Sequence, residues 1–222
     1  MSGRVHARFG VLGDLHAEDA TLEVALRCFE EAGVDQVVSV GDIVDGLGSV
    51  DRCCALLQRA GVAAVQGNHE RWFLGGTMRD LPQATLAVDP EARAFLASLP
   101  RTRHYDTVAG PLLLCHGLGE DDMACVAQDE NERTIAWNPP LHALLGADGP
   151  AIVVNGHTHR RQVWSFRRLT VVNAGTLYRK HDPCFLIVDL ATREATYFDL
   201  GADHRVERKE TLPLPPPRGA RA

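Results

Sequence analysis

Residues 37–45 have the sequence VVSVGDIVD, in which an apolar run ends at a glycine and is followed by two carboxylates, Asp42 and Asp45. Residues 7–14, ARFGVLGD, repeat this arrangement, and residues 62–68, VAAVQGN, end in an amide instead. Short apolar runs bounded by glycine are typical of buried strands. These stretches therefore predict three strands with polar groups at their carboxyl ends.

Helical patterns separate the three strands. An apolar stripe at i, i+4 and i+7 predicts a helix over residues 21–32, which Gly33 ends as a C-cap. Ser49 is a suitable N-cap for a second helix, which Gly61 ends. Connections of this length join parallel strands, so the first third of the chain is predicted to be a βαβαβ unit.

The rest of the chain is predicted to contain hairpins and two further helices. Asp89 and Pro90 begin a helix, and residues 141–145 form a short one. Residues 118–138 are acidic and polar, which predicts a loop or short lid. Three hairpins are predicted from paired apolar runs: 104–108 with 112–115, 162–166 with 170–172, and 185–188 with 196–198.

The fold class that follows is α/β, a four-layer αββα sandwich. Two mixed β-sheets are expected to lie face to face, with helices on both outer sides. The folded domain is predicted to span residues 1–201. Residues 202–222 are proline-rich and are predicted to be a disordered tail.

The bulk composition excludes several classes of protein. A net charge of -6 argues against a general nucleic-acid-binding surface, which needs a basic face. No apolar run approaches the ~20 residues that cross a bilayer, so we predict no membrane span. The six cysteines include no CxxC pair, and reduced thiols in a cytoplasmic protein are the simplest interpretation. The sequence does not indicate the oligomeric state.

Five short stretches carry oxygen and nitrogen ligands for metal ions: GDLH at 13–16, GDIVD at 41–45, GNHE at 67–70, CHG at 115–117 and GHTH at 156–159. Each lies at or just after the end of a predicted strand, where ligands gather in open α/β sheets. Two divalent cations about 3.5–4 Å apart need a shared carboxylate and about three further ligands each. Seven side chains meet this requirement: Asp14, His16, Asp42, Asn68, His116, His157 and His159.

Each ligand also has an ordinary structural interpretation. Asp14 or Asp42 alone can cap a helix or a turn, and Asn68 is a common turn residue. His116, after an apolar strand, is more often a core histidine. The two histidines of GHTH, spaced i, i+2 beside a glycine, suit a strand end better than a core. Because all the ordinary interpretations would have to hold together in one chain, the metal site is favoured.

In this order, the five stretches resemble the calcineurin-like metallophosphoesterase family over about residues 8–175. The resemblance implies two metal ions bridged by Asp42. One ion would be held by Asp14, His16, Asp42 and His159, and the other by Asp42, Asn68, His116 and His157. His69 matches the family's catalytic histidine, which would stabilise the phosphoryl oxygens or protonate the leaving group. Asp45 and Glu70 match carboxylates that would orient His69 or a ligand.

The resemblance implies hydrolysis of a phosphoester by a hydroxide that bridges the two ions. Manganese is the favoured metal, with iron, nickel, cobalt and zinc as alternatives. The substrate would be a small phosphorylated molecule that contacts Asn68 and His69. Arg71, Arg160 and Arg161 lie beside ligand positions and are candidates to grip the phosphate. A solvated surface arginine is an equally good interpretation of Arg161.

Departures from subfamily patterns favour one kind of phosphoester. Protein serine/threonine phosphatases and symmetrical dinucleoside tetraphosphate hydrolases of this family place an arginine close after the second stretch, whereas Gly46-Leu47-Gly48 follows Asp45 here. GHTH and the short chain instead resemble small, cap-free bacterial and archaeal phosphodiesterases. Hydrolysis of phosphodiesters, cyclic nucleotides among them, is therefore the first hypothesis. The alternative is a phosphomonoesterase, protein phosphatase or dinucleoside polyphosphate hydrolase. A scaffold of the same fold is the non-enzymatic alternative, and the presence of His69 argues against it.

Overall fold

The first third of the chain forms the predicted βαβαβ unit. The computed structural model describes residues 5–127, 131, 133, 135–146 and 148–215. Its first three strands are parallel and are joined by two helices: β1 (Arg8–Leu12), α1 (Asp19–Ala32), β2 (Gln36–Ser39), α2 (Val50–Arg59) and β3 (Ala63–Ala64). Gly33 ends α1 with a φ of 61°, and the Ser49 hydroxyl accepts the Arg52 N–H at 3.1 Å at the start of α2. Both predicted caps are confirmed.

The later elements include the three predicted hairpins. They are α3 (Asn68–Gly75), α4 (Pro90–Ser98), β4 (Thr102–Tyr105), β5 (Leu112–Cys115), a 3-10 helix (Ile135–Trp137), α5 (Pro139–Leu144), β6 (Ile152–Asn155), β7 (Arg161–Phe166), β8 (Leu169–Ala174), β9 (Cys184–Asp189), β10 (Glu194–Leu200) and β11 (Val206–Pro213). β4 pairs antiparallel with β5, β7 with β8, and β9 with β10.

Two mixed sheets lie face to face. One has the strand order β11-β10-β9-β1-β2-β3, and the other has the order β4-β5-β6-β8-β7. Phe9, Val11 and Val38 from the first sheet pack with Leu114 and Val154 from the second in one buried cluster. This cluster is the layer between the sheets, and it confirms the predicted central pair of the sandwich.

Helices cover the outer faces of both sheets. Phe29 of α1, Leu57 of α2 and Leu96 of α4 belong to a buried cluster on the outer face of the six-stranded sheet. On the other side, Leu141 of α5 packs with Val153 of β6 in a third cluster. The four-layer αββα prediction is therefore confirmed.

Part of the predicted disordered tail is a strand. Residues 206–213 form β11, which pairs antiparallel with β10 along the sheet edge, so the prediction of disorder from residue 202 is wrong there. Glu207, Arg208 and Lys209 are consecutive exposed charges in this strand, and a polar edge strand pairs through its backbone. Residues 216–222 lie outside the described residues. The sequence also did not indicate α3, which begins within GNHE.

Two further predictions concern the membrane and the cysteines. Among the described residues, none of the helices combines the length and apolarity needed to cross a bilayer. All six cysteines are free thiols, as the absence of a CxxC pair predicted.

Candidate metal centre

The seven predicted ligands converge at the carboxyl ends of the central strands. Asp14 follows β1, Asp42 follows β2, His116 follows β5, and GHTH follows β6, while Asn68 is the first residue of α3. The buried side chains are those of Asp14, His16, Asp42, Asn68 and His116. Those of His157 and His159 are half-buried. The parallel register brings these ends to one rim between the two sheets.

Asp42, Asn68, His116 and His157 meet on one side of this rim. Nε2 of His116 lies 2.9 Å from the Asn68 Oδ1 and 3.2 Å from the Asp42 Oδ2. Nδ1 of His157 lies 3.0 Å from the same Asn68 oxygen. This is the set that the resemblance assigned to one ion.

Asp14, His16 and His159 meet on the other side. Nε2 of His16 lies 3.0 Å from Nε2 of His159, which lies 3.6 Å from the Asp14 Oδ2. That oxygen is buried and has no hydrogen-bond partner among the described residues. A buried carboxylate oxygen without a donor costs free energy, and a cation at this position would satisfy it.

The tautomers of two histidines favour cations over hydrogen bonds in the cluster. Nδ1 of His16 lies 2.9 Å from the Asp45 carbonyl oxygen, and Nδ1 of His116 lies 2.8 Å from the Val40 carbonyl oxygen. Each Nδ1 must therefore be a donor, which leaves the lone pair of a neutral ring on Nε2. When His116 is neutral, this lone pair faces two oxygen acceptors, and either a proton or a metal ion at Nε2 stabilises the arrangement.

Two overlapping groups of side chains are placed to hold metal ions. His16, Asp42 and His69 form one, and Asp42, His116 and His157 form the other, with the ligand atoms of each group within 4.8 Å of one another. Asp42 belongs to both groups, which is the geometry a bridging carboxylate requires. The first group contains His69, to which the resemblance gave a catalytic role. On this side the partnerless oxygen of Asp14 lies 3.6 Å from Nε2 of His159, while Nδ1 of His69 is bonded to Asp45.

The backbone around the ligands adopts conformations that are uncommon for residues with side chains. Positive φ angles occur at His16 (44°), Asp42 (47°), Asp45 (65°), His157 (69°) and His159 (58°). Left-handed conformations cost free energy in non-glycine residues and cluster at functional sites. Their concentration in the predicted site indicates that the fold holds these side chains in place against local preference.

Burial and neighbouring charges shift the pKa values of the clustered side chains. Burial raises the pKa of Asp14. Burial also acts to raise the pKa of Asp42, but the adjacent His116 outweighs it and lowers that pKa. Burial acts to lower the pKa of His116, and the carboxylates of Asp42 and Asp14 outweigh it and raise that pKa. Burial lowers the pKa values of the other three predicted histidine ligands, His16, His157 and His159, which favours neutral rings with a lone pair available to a cation.

His69 is held beside the cluster by Asp45. Its Nδ1 lies 2.7 Å from the Asp45 Oδ2, and its Nε2 lies 3.9 Å from the Asp42 Oδ2. The ring lies 4.8 Å from that of Trp72, centroid to centroid. Burial acts to lower the pKa of His69, but the hydrogen bond to Asp45 and the nearby carboxylates outweigh it and raise the pKa. His69 is therefore a suitable proton donor near neutral pH.

Asp45 also forms a salt bridge with Arg79, a residue that the sequence did not indicate. The Arg79 guanidinium donates to both Asp45 oxygens, at 2.8 and 3.0 Å, and the Thr85 N–H donates at 2.7 Å. Burial acts to raise the pKa of Asp45, and the bonds from His69, Arg79 and the Thr85 N–H lower it to about 2. Asp45 stays ionised and ties the segment of residues 76–88 to His69.

Glu70 holds the Asp42 loop. Its side chain is fully buried and accepts four backbone N–H groups, from Ile43 (2.6 Å), Val44 (3.1 Å), Asp42 (2.9 Å) and Gly67 (2.8 Å). Asp42 in turn accepts the backbone N–H of His69 at 3.0 Å. Glu70 therefore orients the ligand loop, one of the two roles that the resemblance implied.

The predicted phosphate-gripping arginines have different surroundings. Arg71 makes a bidentate pair with Asp122, at 2.6 and 2.8 Å. Arg160 is exposed beside His159. Arg161 is bonded to Asp199 of β10, so it is directed towards the neighbouring sheet and not towards a substrate.

Gly46, directly after Asp45, fills a position without room for a side chain. A Cβ there would overlap the carbonyl oxygen of His16. The position directly after Asp45 is the first at which an arginine could follow the second stretch, and it has no room for a side chain.

A family model described as "Calcineurin-like phosphoesterase superfamily domain" matches residues 8–193. The chain belongs to the calcineurin-like phosphoesterase superfamily. The resemblance drawn from the five stretches is thereby confirmed. The superfamily is one of phosphoric ester hydrolases that use divalent metals, and the chain places His and Asp groups to hold metal.

Solved structures of this superfamily share the fold. A metallophosphoesterase from Sphaerobacter thermophilus matches with a TM-score of 0.63 and 21% identity, covering 88% of this chain and 89% of that one. Yfce, a phosphoesterase from E. coli, matches with a TM-score of 0.56 and 15% identity, covering 94% and 100%. At these identities the likeness supports the architecture alone.

One curated relative is more similar over a shorter length. Serine/threonine-protein phosphatase 1 from Salmonella typhimurium is 39% identical over 77 residues, which are 34% of this chain and 35% of that phosphatase. The chain thus matches about a third of the length of this curated relative.

Proposed function

We propose that the protein hydrolyses phosphodiesters of small molecules, with two divalent cations bridged by Asp42. The observation that carries the proposal is the pair of overlapping ligand groups that share this carboxylate. The ligands are Asp14, His16, Asp42 and His159 for one ion, and Asp42, Asn68, His116 and His157 for the other. Manganese is the proposed metal, and the mixed O and N ligands also suit iron, nickel, cobalt or zinc. Two such ions would lower the pKa of a shared water and polarise the phosphoryl oxygens.

His69 would donate a proton to the leaving oxygen. Its Nδ1 is committed to Asp45, so Nε2 is the nitrogen available to the substrate. The hydrogen bond to Asp45 and the nearby carboxylates outweigh burial and raise the pKa of His69, which favours the protonated ring, and a general acid contributes about 10²–10⁴-fold to the rate. Asn68 is proposed to contact the substrate as well as a metal.

The pairing of nearby arginines favours a diester over a monoester. A phosphomonoester carries close to two negative charges, whereas a diester carries one. Arg71 is paired with Asp122 and Arg79 with Asp45, so each charge is already neutralised by a carboxylate. We propose that Arg71 and Arg160 still orient the substrate, Arg71 from within its pair.

A second candidate is a phosphomonoesterase, protein phosphatases included. It is favoured by the Salmonella phosphatase, which is 39% identical over 77 residues. An active site that prefers monoesters would need additional positive charge. The guanidinium of Arg71 would provide it if the substrate phosphate replaced Asp122 as its partner.

The cytoplasmic location stays a prediction.

The test compares bis-p-nitrophenyl phosphate, p-nitrophenyl phosphate and a phosphoserine peptide with the full chain and Mn²⁺. We expect kcat/KM to be highest for the diester. With a 2′,3′-cyclic nucleotide, whose alkoxide leaving oxygen needs a proton, kcat/KM should fall by at least about 10²-fold in His69→Ala, with unchanged metal content. His104→Ala, which changes an exposed histidine on edge strand β4, is the matched control. A higher kcat/KM for the monoesters would favour the second candidate. No hydrolysis with Mn²⁺, Fe²⁺, Ni²⁺, Co²⁺ or Zn²⁺ would refute both and favour a scaffold.

A further inference from the structure

His159 has partners on both ring nitrogens. Its Nε2 faces His16 and Asp14, as described above, while its Nδ1 lies 2.7 Å from Nδ1 of His181. The two rings are 4.7 Å apart, with an interplanar angle of 54°. One of these two Nδ1 atoms must donate and the other must accept.

We propose that His181 is a positioning residue for the metal ligand His159. Its Nδ1 accepts the Nδ1–H of His159, which fixes the tautomer that presents a lone pair on Nε2 and holds the ring towards Asp14. This inference rests on the proposed function, because it assumes a cation at His159. It assigns His181 no contact with the substrate.

The other histidine ligands support this role by comparison. His16 is oriented by the Asp45 carbonyl oxygen and His116 by the Val40 carbonyl oxygen. Metal-ligating histidines almost always donate their second N–H to such an acceptor. For His159 the imidazole of His181 occupies the same place.

The loop between β8 and β9 holds His181 in position although its side chain is exposed. The Thr176 hydroxyl donates to the Asp14 carbonyl oxygen at 2.8 Å, and the Tyr178 N–H donates to the Thr176 hydroxyl at 3.0 Å. The His181 N–H then closes a turn onto the Tyr178 carbonyl oxygen at 3.0 Å. Because the loop begins on the backbone of Asp14, His181 and the metal site share one support.

A second anchor fixes the middle of this loop. The guanidinium of Arg179 binds the carboxylate of Glu18, with Nη2 2.7 Å from Oε2, and Glu18 is fully buried. The backbone N–H of Arg179 donates to the same carboxylate at 3.0 Å. Both anchors lie within five residues before His181, so its imidazole meets His159 in a defined geometry.

The consequence concerns one of the two ions. Loss of such a supporting partner lowers metal affinity by about 10–100-fold. The weakening should be confined to the ion held with Asp14, because the side of Asn68, His116 and His157 makes no contact with His181 within the described residues.

The experiment is calorimetric titration of Mn²⁺ into the chelator-stripped full chain. Wild type should bind two ions, and His181→Ala should bind one of them about 10–100-fold more weakly, with the other unchanged. His181→Asn should recover most of the affinity, because the amide oxygen stands near the lost Nδ1 and accepts the same N–H. His104→Ala should match wild type.

Three outcomes would overturn the inference. They are unchanged binding of both ions by His181→Ala, equal weakening of both ions, and failure of His181→Asn to recover any affinity. Wild type that binds no Mn²⁺ and hydrolyses no phosphoester would overturn the proposed function itself. Intact two-ion binding and activity in wild type, combined with any of the three outcomes, would overturn only the role of His181.

Discussion

Replacing Glu70 with glutamine tests how the site is held together. The carboxylate accepts two N–H groups on each oxygen: Ile43 and Val44 on Oε1, and Asp42 and Gly67 on Oε2. Glu70→Gln keeps the size of the side chain but replaces one oxygen with an NH₂ group. Whichever way the amide is turned, two buried backbone donors then face a donor.

The expected cost follows from these two lost bonds. An unsatisfied buried donor costs about 1–3 kcal/mol, so the free energy of unfolding should fall by about 2–6 kcal/mol. Total stability is about 5–15 kcal/mol for a typical domain, and the variant should therefore be folded but clearly weakened. Because two of the four N–H groups belong to Asp42 and Ile43, the variant should also bind Mn²⁺ less tightly than wild type.

Urea denaturation in the presence of a chelator measures the first effect. Glu31→Gln, an exposed position in α1, is the control and should stay within about 0.5 kcal/mol of wild type. A loss below about 1 kcal/mol in Glu70→Gln would refute the reasoning, since the four amides would then not depend on a carboxylate.

Three further predictions follow from the same site. Asp45 has its pKa lowered to about 2 in the folded protein, so its stabilisation of about 2 kcal/mol is present above the unfolded pKa and lost as the pH falls from about 4 to 2. Asp45→Asn should flatten this acid limb in urea titrations, and an unchanged limb would contradict the pairing with His69 and Arg79. Mn²⁺ at about 100 times Kd should stabilise the fold by about 2.7 kcal/mol for each ion bound, or about 5.4 kcal/mol for two, and EDTA should reverse the resulting rise in Tm of about 10–20 °C. Gly46→Ala should cost at least about 1–3 kcal/mol because its Cβ overlaps the His16 carbonyl oxygen, and a variant with the Tm of wild type would contradict that steric account.

The fold was predictable where pattern and burial coincide. The three parallel strands and the hairpins could be predicted because each of their strands is an apolar run bounded by turn residues. β11 was missed because its side chains are polar and its pairing depends on the backbone of β10. α3 was missed because its first residues were interpreted by their chemistry and not as the start of a helix.

The site was predictable only in part. Strand ends are sequence features, so position and residue type were enough to propose the seven ligands, and the structure brings these side chains together. Arg79 and His181 come from irregular segments, 76–88 and 176–183, which have no periodicity to align them with a strand end. Arg71 was proposed to grip a phosphate because it lies beside ligand positions, but its pairing with Asp122 depends on a loop whose path the sequence does not encode locally.

The contact between Gly46 and His16 bears on how such enzymes diverge. An arginine introduced directly after Asp45 would first have to displace the turn that carries a metal ligand, so the single substitution should be harmful before it is useful. Acquiring that arginine would require compensating changes around residues 16 and 17 at the same time. A single substitution at Gly46 therefore cannot supply that arginine without moving the turn that carries His16.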